Sequence, residues 1–307
     1  MEYISIRVNT LRGDQKIDFD VYILIDGKYV HYLRKGDSFE GQRLERLKSK
    51  KLKKMFINLD AENLYRNYIE KNIDMAYNDK NKDLQLRSEI VQGDQQYHAD
   101  EVFENPQSAL SYSQAKDTAS KYVDFLMQNE KAASNILSIQ NTDSSISHHG
   151  VNVATLSVTL ANHLKLFDDK QKQIMTLGAL LHDFGHFNTP VDISKPVDQM
   201  PEAEQAIYWK HPKIGAEKVQ GLKHFDQSVI NIINQHEELV NGQGPLKMRE
   251  KDQDPLSIVV STANALDREL LRYPNDRQQV IKNFMVVNVG KHPLNHLNSL
   301  THFLNTL

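Results

Sequence analysis

At 307 residues the chain exceeds the usual size of one domain, and its net charge of -3 at pH 7 gives it no general attraction to nucleic acid or acidic membranes. The absence of cysteine excludes disulfides and thiolate metal sites together, so any metal must take nitrogen and oxygen ligands, which points to iron, manganese or zinc. No apolar run approaches the ~20 residues of a membrane span, and Met1–Val8 has neither the basic flank nor the apolar stretch of a signal peptide, so a cytoplasmic protein with no membrane or nucleic-acid partner is expected.

Taken in order, Tyr3 to Val8, Phe19 to Ile25 and Tyr29 to Leu33 alternate as three short strands, with Asp26-Gly27 as a hairpin signal between the last two. A helix over Gln42 to Ser49, a strand around Lys54 to Leu59 and a helix from Ala61 to about Glu70 complete a small α/β module. The basic run Arg43 to Lys54 reads as the solvated face of a packed helix, because leucines are spaced through it. Residues 71–105 are polar, and Asn78 to Asp83 is the most loop-like piece. From Ala115 onward nearly every segment has the helical period. The expected organisation is α+β: residues 1–72 as a regulatory α/β module, 73–135 as a helical connector and 136–307 as an all-α bundle.

Within the helical half, Leu156, Leu160 and Leu164 form one apolar stripe, and Asp168 with Gln171 three residues later is a capping box for the next helix. Pro201, Pro212 and Pro255 each read as first-turn prolines. Eight of the thirteen histidines fall between His148 and His236. At the end of the helix through Ile174, Leu177 and Leu181, His182-Asp183 can offer an imidazole to one metal ion and a carboxylate that bridges to a second. Gly185 is expected to stop that helix as a left-handed cap, leaving His186 on a loop over the same site. Val229, Ile232, Ile233 and His236 share one helix face; Val260, Asn264, Asp267 and Leu271 share another. Burying such groups without partners costs about 1–3 kcal/mol for a neutral polar group and more for a charge, so a shared metal explains them together. His163 and His224 are instead expected to be core imidazoles bonded to backbone carbonyls.

These residues also carry a resemblance. His149-Gly150-Val151-Asn152-Val153-Ala154, Leu180-Leu181-His182-Asp183-Phe184-Gly185, Lys210-His211-Pro212-Lys213-Ile214-Gly215 and His236-Glu237-Glu238, followed by Asn241-Gly242-Gln243-Gly244-Pro245, are similar in order and content to the motifs of the HD-GYP family of cyclic di-GMP phosphodiesterases. The similarity spans about residues 140–275. It implies an all-helical HD domain with two or three metal ions, often iron, that cleaves a cyclic dinucleotide by attack of a metal-bridging water or hydroxide on phosphorus. Carried over by position, the metal ligands are His149, His182, Asp183, His211, His236 and Asn264, with Asp183 the catalytic bridge. His186, Asn241 and Gly242 fall at substrate-binding positions.

The chain departs from the family pattern at several of these positions. Ser145 stands where some members have a glutamate, which argues against a third metal. The paired histidines become His236-Glu237, or Gln235-His236 if the alignment shifts by one. The lysine after the His-Asp-x-Gly turn is His186, and Gly244 runs directly into Pro245, so the tyrosine of the name motif is absent. The late Ala-Asp is Ala263-Asn264, unless Asp267 takes over. The resemblance thus implies a weak cyclic di-GMP phosphodiesterase; the alternative is a catalytically impaired cyclic di-GMP sensor that signals through residues 1–72, a segment with scope for a protein partner.

Overall fold

The computed structural model describes every residue except 1, 9–10, 12–14, 39–51, 53, 140–144 and 194. The helix expected over Gln42 to Ser49, and most of the basic run with it, lies outside the described residues. The chain divides into two compact units, Met1–Tyr97 with Ile139–Asp143 and His98–Ser138 with Ser144–Leu307.

In the first unit, β1 (Tyr3–Arg7), β2 (Val21–Ile25), β3 (Lys28–Leu33) and β4 (Lys54–Asn58) form an antiparallel sheet in the order β1-β4-β2-β3. The β2–β3 hairpin turns at Asp26 and Gly27, both left-handed at φ 48° and 75°, the backbone twist that a two-residue hairpin turn requires. Alternation along the strands sends Ile6, Val21, Leu33, Met55 and Ile57 into one core with Phe19. Helix α1 (Glu62–Asn78) closes that core by setting Tyr65 and Tyr68 edge-on against the Phe19 ring. After the break at 79–83, α2 (Leu84–Glu104) begins, and Arg87 donates to the carbonyls of Ala76 and Tyr77 at 2.7 and 3.1 Å. The polar stretch is therefore mostly helix.

The second unit is helical: α3 (Ala109–Gln128), α4 (Ala132–Ser138), α5 (Ile146–Leu164), α6 (Asp169–Leu181), α7 (Glu202–Tyr208), α8 (His211–Val219), α9 (Gln227–Gln235), α10 (Pro255–Arg272), α11 (Arg277–Asn288) and α12 (Leu294–Thr306). Helix α5 is its axis, buried from Ser147 to Ala161 on nearly every side. Ser145 caps this helix by accepting from the His148 amide at 3.2 Å, so the residue that replaces the family's glutamate organises the helix start beside His149. The Asp168/Gln171 capping box forms as expected, Pro212 and Pro255 occupy first turns, and Pro201 caps α7. His224 bonds the Pro106 carbonyl at 2.9 Å as expected, whereas His163 lies exposed beside Ser299.

Two glycines set the helix spacing. A Cβ on Gly150 would lie 2.6 Å from the Leu180 carbonyl oxygen, so α5 and α6 meet backbone to backbone directly beside His149 and His182. Gly185 does not adopt the expected left-handed cap: its φ is not positive, and it sits in a 3-10 turn over Phe184–His186, where a Cβ would overlap the His211 carbonyl. Its service is close approach rather than chain reversal, and it brings the His182-Asp183 turn onto the start of α8. Gly185→Ala should therefore destabilise the protein by about 1–3 kcal/mol through overpacking and should lower metal retention, read by thermal unfolding and elemental analysis. A variant with unchanged stability and metal content would mean that the α8 backbone yields without cost.

Candidate metal centre

Five helices or their ends deliver the cluster. His149 comes from the first turn of α5, His182 and Asp183 from the end of α6, His211 from the start of α8, His236 from the end of α9 and Asn264 from α10. The exposure of His149, His182, Asp183, His211, His236 and Asn264 is 3% or less. The Nε2 atoms of His149, His182, His211 and His236 converge on the Asp183 carboxylate at 3.6, 3.5, 3.1 and 3.5 Å. Two triads result, His149/His182/Asp183 and Asp183/His211/His236, each with ligand atoms close enough to hold one metal ion and with Asp183 common to both. This arrangement is consistent with a dinuclear site.

The hydrogen bonds determine which ring nitrogen carries the proton. His182 Nδ1 donates to the Ala179 carbonyl at 2.7 Å, His236 Nδ1 to the Ile233 carbonyl at 2.9 Å, and His211 Nδ1 to the Tyr208 carbonyl. His149 Nδ1 donates to Asp267 Oδ2 at 2.6 Å. In a neutral imidazole the other nitrogen is then a bare acceptor, so all four Nε2 atoms present lone pairs to the centre. They face one another at 2.7 Å between His211 and His236 and at 3.2 Å between His149 and His182. Asn264 adds its carbonyl oxygen 3.0 Å from His149 Nε2. Lone pairs this close around a carboxylate that makes no well-formed hydrogen bond are the donor set that a metal cation would satisfy. The residues fit a bound metal pair.

Burial first, with the neighbouring histidines adding to it, pushes His182 well below its ordinary pKa; burial likewise lowers His211, so both rings stay neutral and available as ligands. Burial alone would raise Asp183, but the surrounding imidazoles, His182 first and then His211 and His236, outweigh it and hold the carboxyl well below its usual range. Asp267 serves as the carboxylate that orients His149.

Of the expected substrate-binding positions, His186 is buried and stacks on the His211 ring at 3.8 Å between centroids, with both ring nitrogens unbonded. Burial pushes its pKa down to about 3, against the pull of Asp183, so it carries no charge at neutral pH. Asn241 accepts from the Gln243 amide at 3.0 Å and Gly242 has φ 78°, so both residues shape the loop. Glu238 holds the loop from within, accepting from the Leu246 and Met248 amides at 2.5 and 2.8 Å.

A cavity of about 560 Å³ opens beside the cluster, with His236, Glu237, Asn264 and Arg268 on its cluster side and Trp209, the chain's single tryptophan, also on its wall. That volume suits a small organic ligand. Gly244 and Pro245, which occupy the expected tyrosine loop, line it too. Sequence reasoning left Glu237 open and missed Tyr208 and Arg268. Glu237 accepts from the Tyr208 hydroxyl at 2.6 Å and from Asn264 Nδ2 at 3.3 Å, 4.0 Å from His236 Nε2. Arg268 could have been found one turn after Asn264, on the same helix face.

Comparison with known proteins agrees with this geometry. The HD domain family matches residues 146–269. The structure of Bd1817, an HDG"Y"P protein from Bdellovibrio bacteriovorus, superimposes with a TM-score of 0.93 at 54% identity, covering 99% of this chain and 100% of that one. The cyclic di-GMP phosphodiesterase PA4108 of Pseudomonas aeruginosa is 24% identical over 136 residues, 44% of this chain and 33% of that protein. The cyclic di-GMP phosphodiesterase PdeB of Borreliella burgdorferi is 28% identical over 124 residues, 40% of this chain and 32% of that protein. The matched segment thus spans about a third of the length of these curated relatives.

Asp183→Asn should cost more bound metal than His186→Ala, because Asp183 faces all four Nε2 atoms and His186 none of the cluster's open positions. Asp267→Asn should fall between them, lowering metal affinity by about 10- to 100-fold by releasing the His149 tautomer. Metal titration of the three variants gives the order, and loss in His186→Ala with retention in Asp183→Asn would reverse these roles.

Proposed function

Because the chain belongs to the HD-GYP family, as a member without the tyrosine of the name motif, we propose that it is a metal-dependent cyclic di-GMP phosphodiesterase of low turnover. One observation carries the reading: four imidazole lone pairs and a carboxylate without a well-formed hydrogen bond meet beside a cavity large enough for a nucleotide ligand. Two metal ions held there, iron first and manganese or zinc as alternatives, would supply Lewis-acid polarisation of a phosphodiester and activation of water. His149, His182, Asp183, His211, His236 and Asn264 are the proposed ligands. The donor set supports this choice, since neutral imidazoles and oxygen ligands suit those ions.

The protein's own groups then bind and orient. Trp209 is 47% exposed at the cavity, which makes its ring face available for stacking on a purine base. Lys195, Lys247 and Lys291 on the cavity wall favour a doubly anionic ligand. With His186 neutral and the tyrosine absent, two positioning contacts of the family are missing, so binding should outlast efficient hydrolysis. A sensor role signalled through residues 1–72 follows if turnover is absent altogether.

Protein prepared with iron should approach two metal ions per chain, and chromatography should detect slow conversion of cyclic di-GMP to linear dinucleotide or GMP. Titration with cyclic di-GMP should quench the Trp209 fluorescence. Intact folded protein that contains no metal under every loading condition, or that neither binds nor cleaves cyclic di-GMP when loaded, would overturn the assignment.

A further inference from the structure

Arg268 is an unusual residue to find at this place. Its side chain is 16% exposed, yet the Nε and Nη2 atoms are buried without any hydrogen-bond partner; only Nη1 is bonded, to the Ile193 carbonyl at 3.2 Å. A buried guanidinium that leaves two donors unused is costly, because each lost hydration bond is uncompensated. The group is nevertheless held firmly. Its carbon lies 5.0 Å from the centroid of the Tyr208 ring, and Tyr208 is itself bonded to Glu237. Nη2 stands 3.7 Å from Asp183 Oδ2, too far for a hydrogen bond but directly beside the carboxylate common to both triads. The same side chain lines the cavity. A guanidinium stays protonated across the working pH range, so the positive charge is permanent.

The geometry points to Arg268 as the residue that binds the substrate phosphate, supplying from α10 a fixed positive charge between the cavity and Asp183. The inference rests on the proposed phosphodiesterase reading and deepens it. A guanidinium with a free Nε–H and Nη2–H edge matches two oxygens of one phosphate, and it pairs them in a fixed plane. Its place between the cavity and Asp183 puts that edge where a phosphate at the metal pair would lie. Of the other cations of the wall, Arg272 is engaged with Asp198 at 2.6 Å, Lys195 lies 3.5 Å from Asp192, and Lys247 and Lys291 offer single ammonium groups without a paired planar edge. Nothing else at the cluster offers unused donors on a permanent cation among the described residues. The cost of desolvating Arg268 in the free protein is recovered when the anion binds.

The test compares wild-type, Arg268→Lys and Arg268→Met proteins, each loaded to the same measured metal content, by calorimetric titration with inorganic phosphate and separately with cyclic di-GMP. Arg268→Met should weaken binding of both probes by about tenfold to a hundredfold, the range for losing a charged hydrogen bond. Arg268→Lys should recover only part of that, because an ammonium keeps the charge but not the paired donors. Phosphate affinity unchanged in both variants overturns the proposal. Metal loss in both variants, with phosphate affinity per loaded site unchanged, also overturns it and assigns Arg268 to holding Asp183. If Arg268→Met does not fold, Arg268→Lys decides: weaker phosphate binding at full metal content supports the role, and wild-type affinity refutes it. Wild-type protein that binds phosphate through Arg268 but ignores cyclic di-GMP would sink the phosphodiesterase reading and leave the phosphate site standing.

Discussion

The second unit depends on one constraint: four acceptor nitrogens and a carboxylate must share a dry space. Each tautomer is imposed from behind. His182, His211 and His236 all give their Nδ1 proton to the backbone carbonyl three residues earlier, so a helix end orients each ring with its own main chain. His149, in the first turn of its helix, gives its proton to Asp267 across the bundle instead. All four rings therefore turn the same chemical face to Asp183. Without positive charge the arrangement is repulsive, and with it the polar groups buried at the end of every surrounding helix are satisfied together.

Holding five chain segments this close requires helices that meet without side chains between them. Gly150 lets α5 touch the Leu180 backbone, and Gly185 lets the His182-Asp183 turn touch the carbonyl of His211. A methyl group at either point would separate ligands rather than merely crowd the core. The glycines and the histidines are thus one device, with small residues setting the distances that ligand chemistry needs.

Charge balance at the site also hangs together. Asn264 removes a negative charge relative to the family's carboxylate, while Glu237 places one at the neighbouring position and bonds the Asn264 amide. That bond leaves the Asn264 oxygen aimed at His149 Nε2. On the positive side, His186 is a neutral ring stacked beneath His211, and among the described residues the guanidinium of Arg268 is the permanent cation beside Asp183. Each apparent loss along the chain is accompanied by a residue of like charge from a different segment.

The family, the α+β class, most helix starts and the identity of the clustered residues could be read from the chain alone, because these depend on local patterns. Hydrophobic period, the Asp168 cap and the Asp26-Gly27 turn act within a few residues, and the ordered motifs needed no tertiary information. What the folded structure decided is what lies across helices. The sequence offered a left-handed cap at Gly185, but packing against His211 made it a contact point, since a glycine's freedom and its lack of volume look identical in one dimension. Asp267 was one turn from Asn264 and could have been a ligand; only its bond to His149, 118 residues away in sequence, made it the orienting carboxylate. Arg268 lay unmarked in the same helix because its significance comes from Tyr208, Ile193 and Asp183, which tertiary packing alone brings around it.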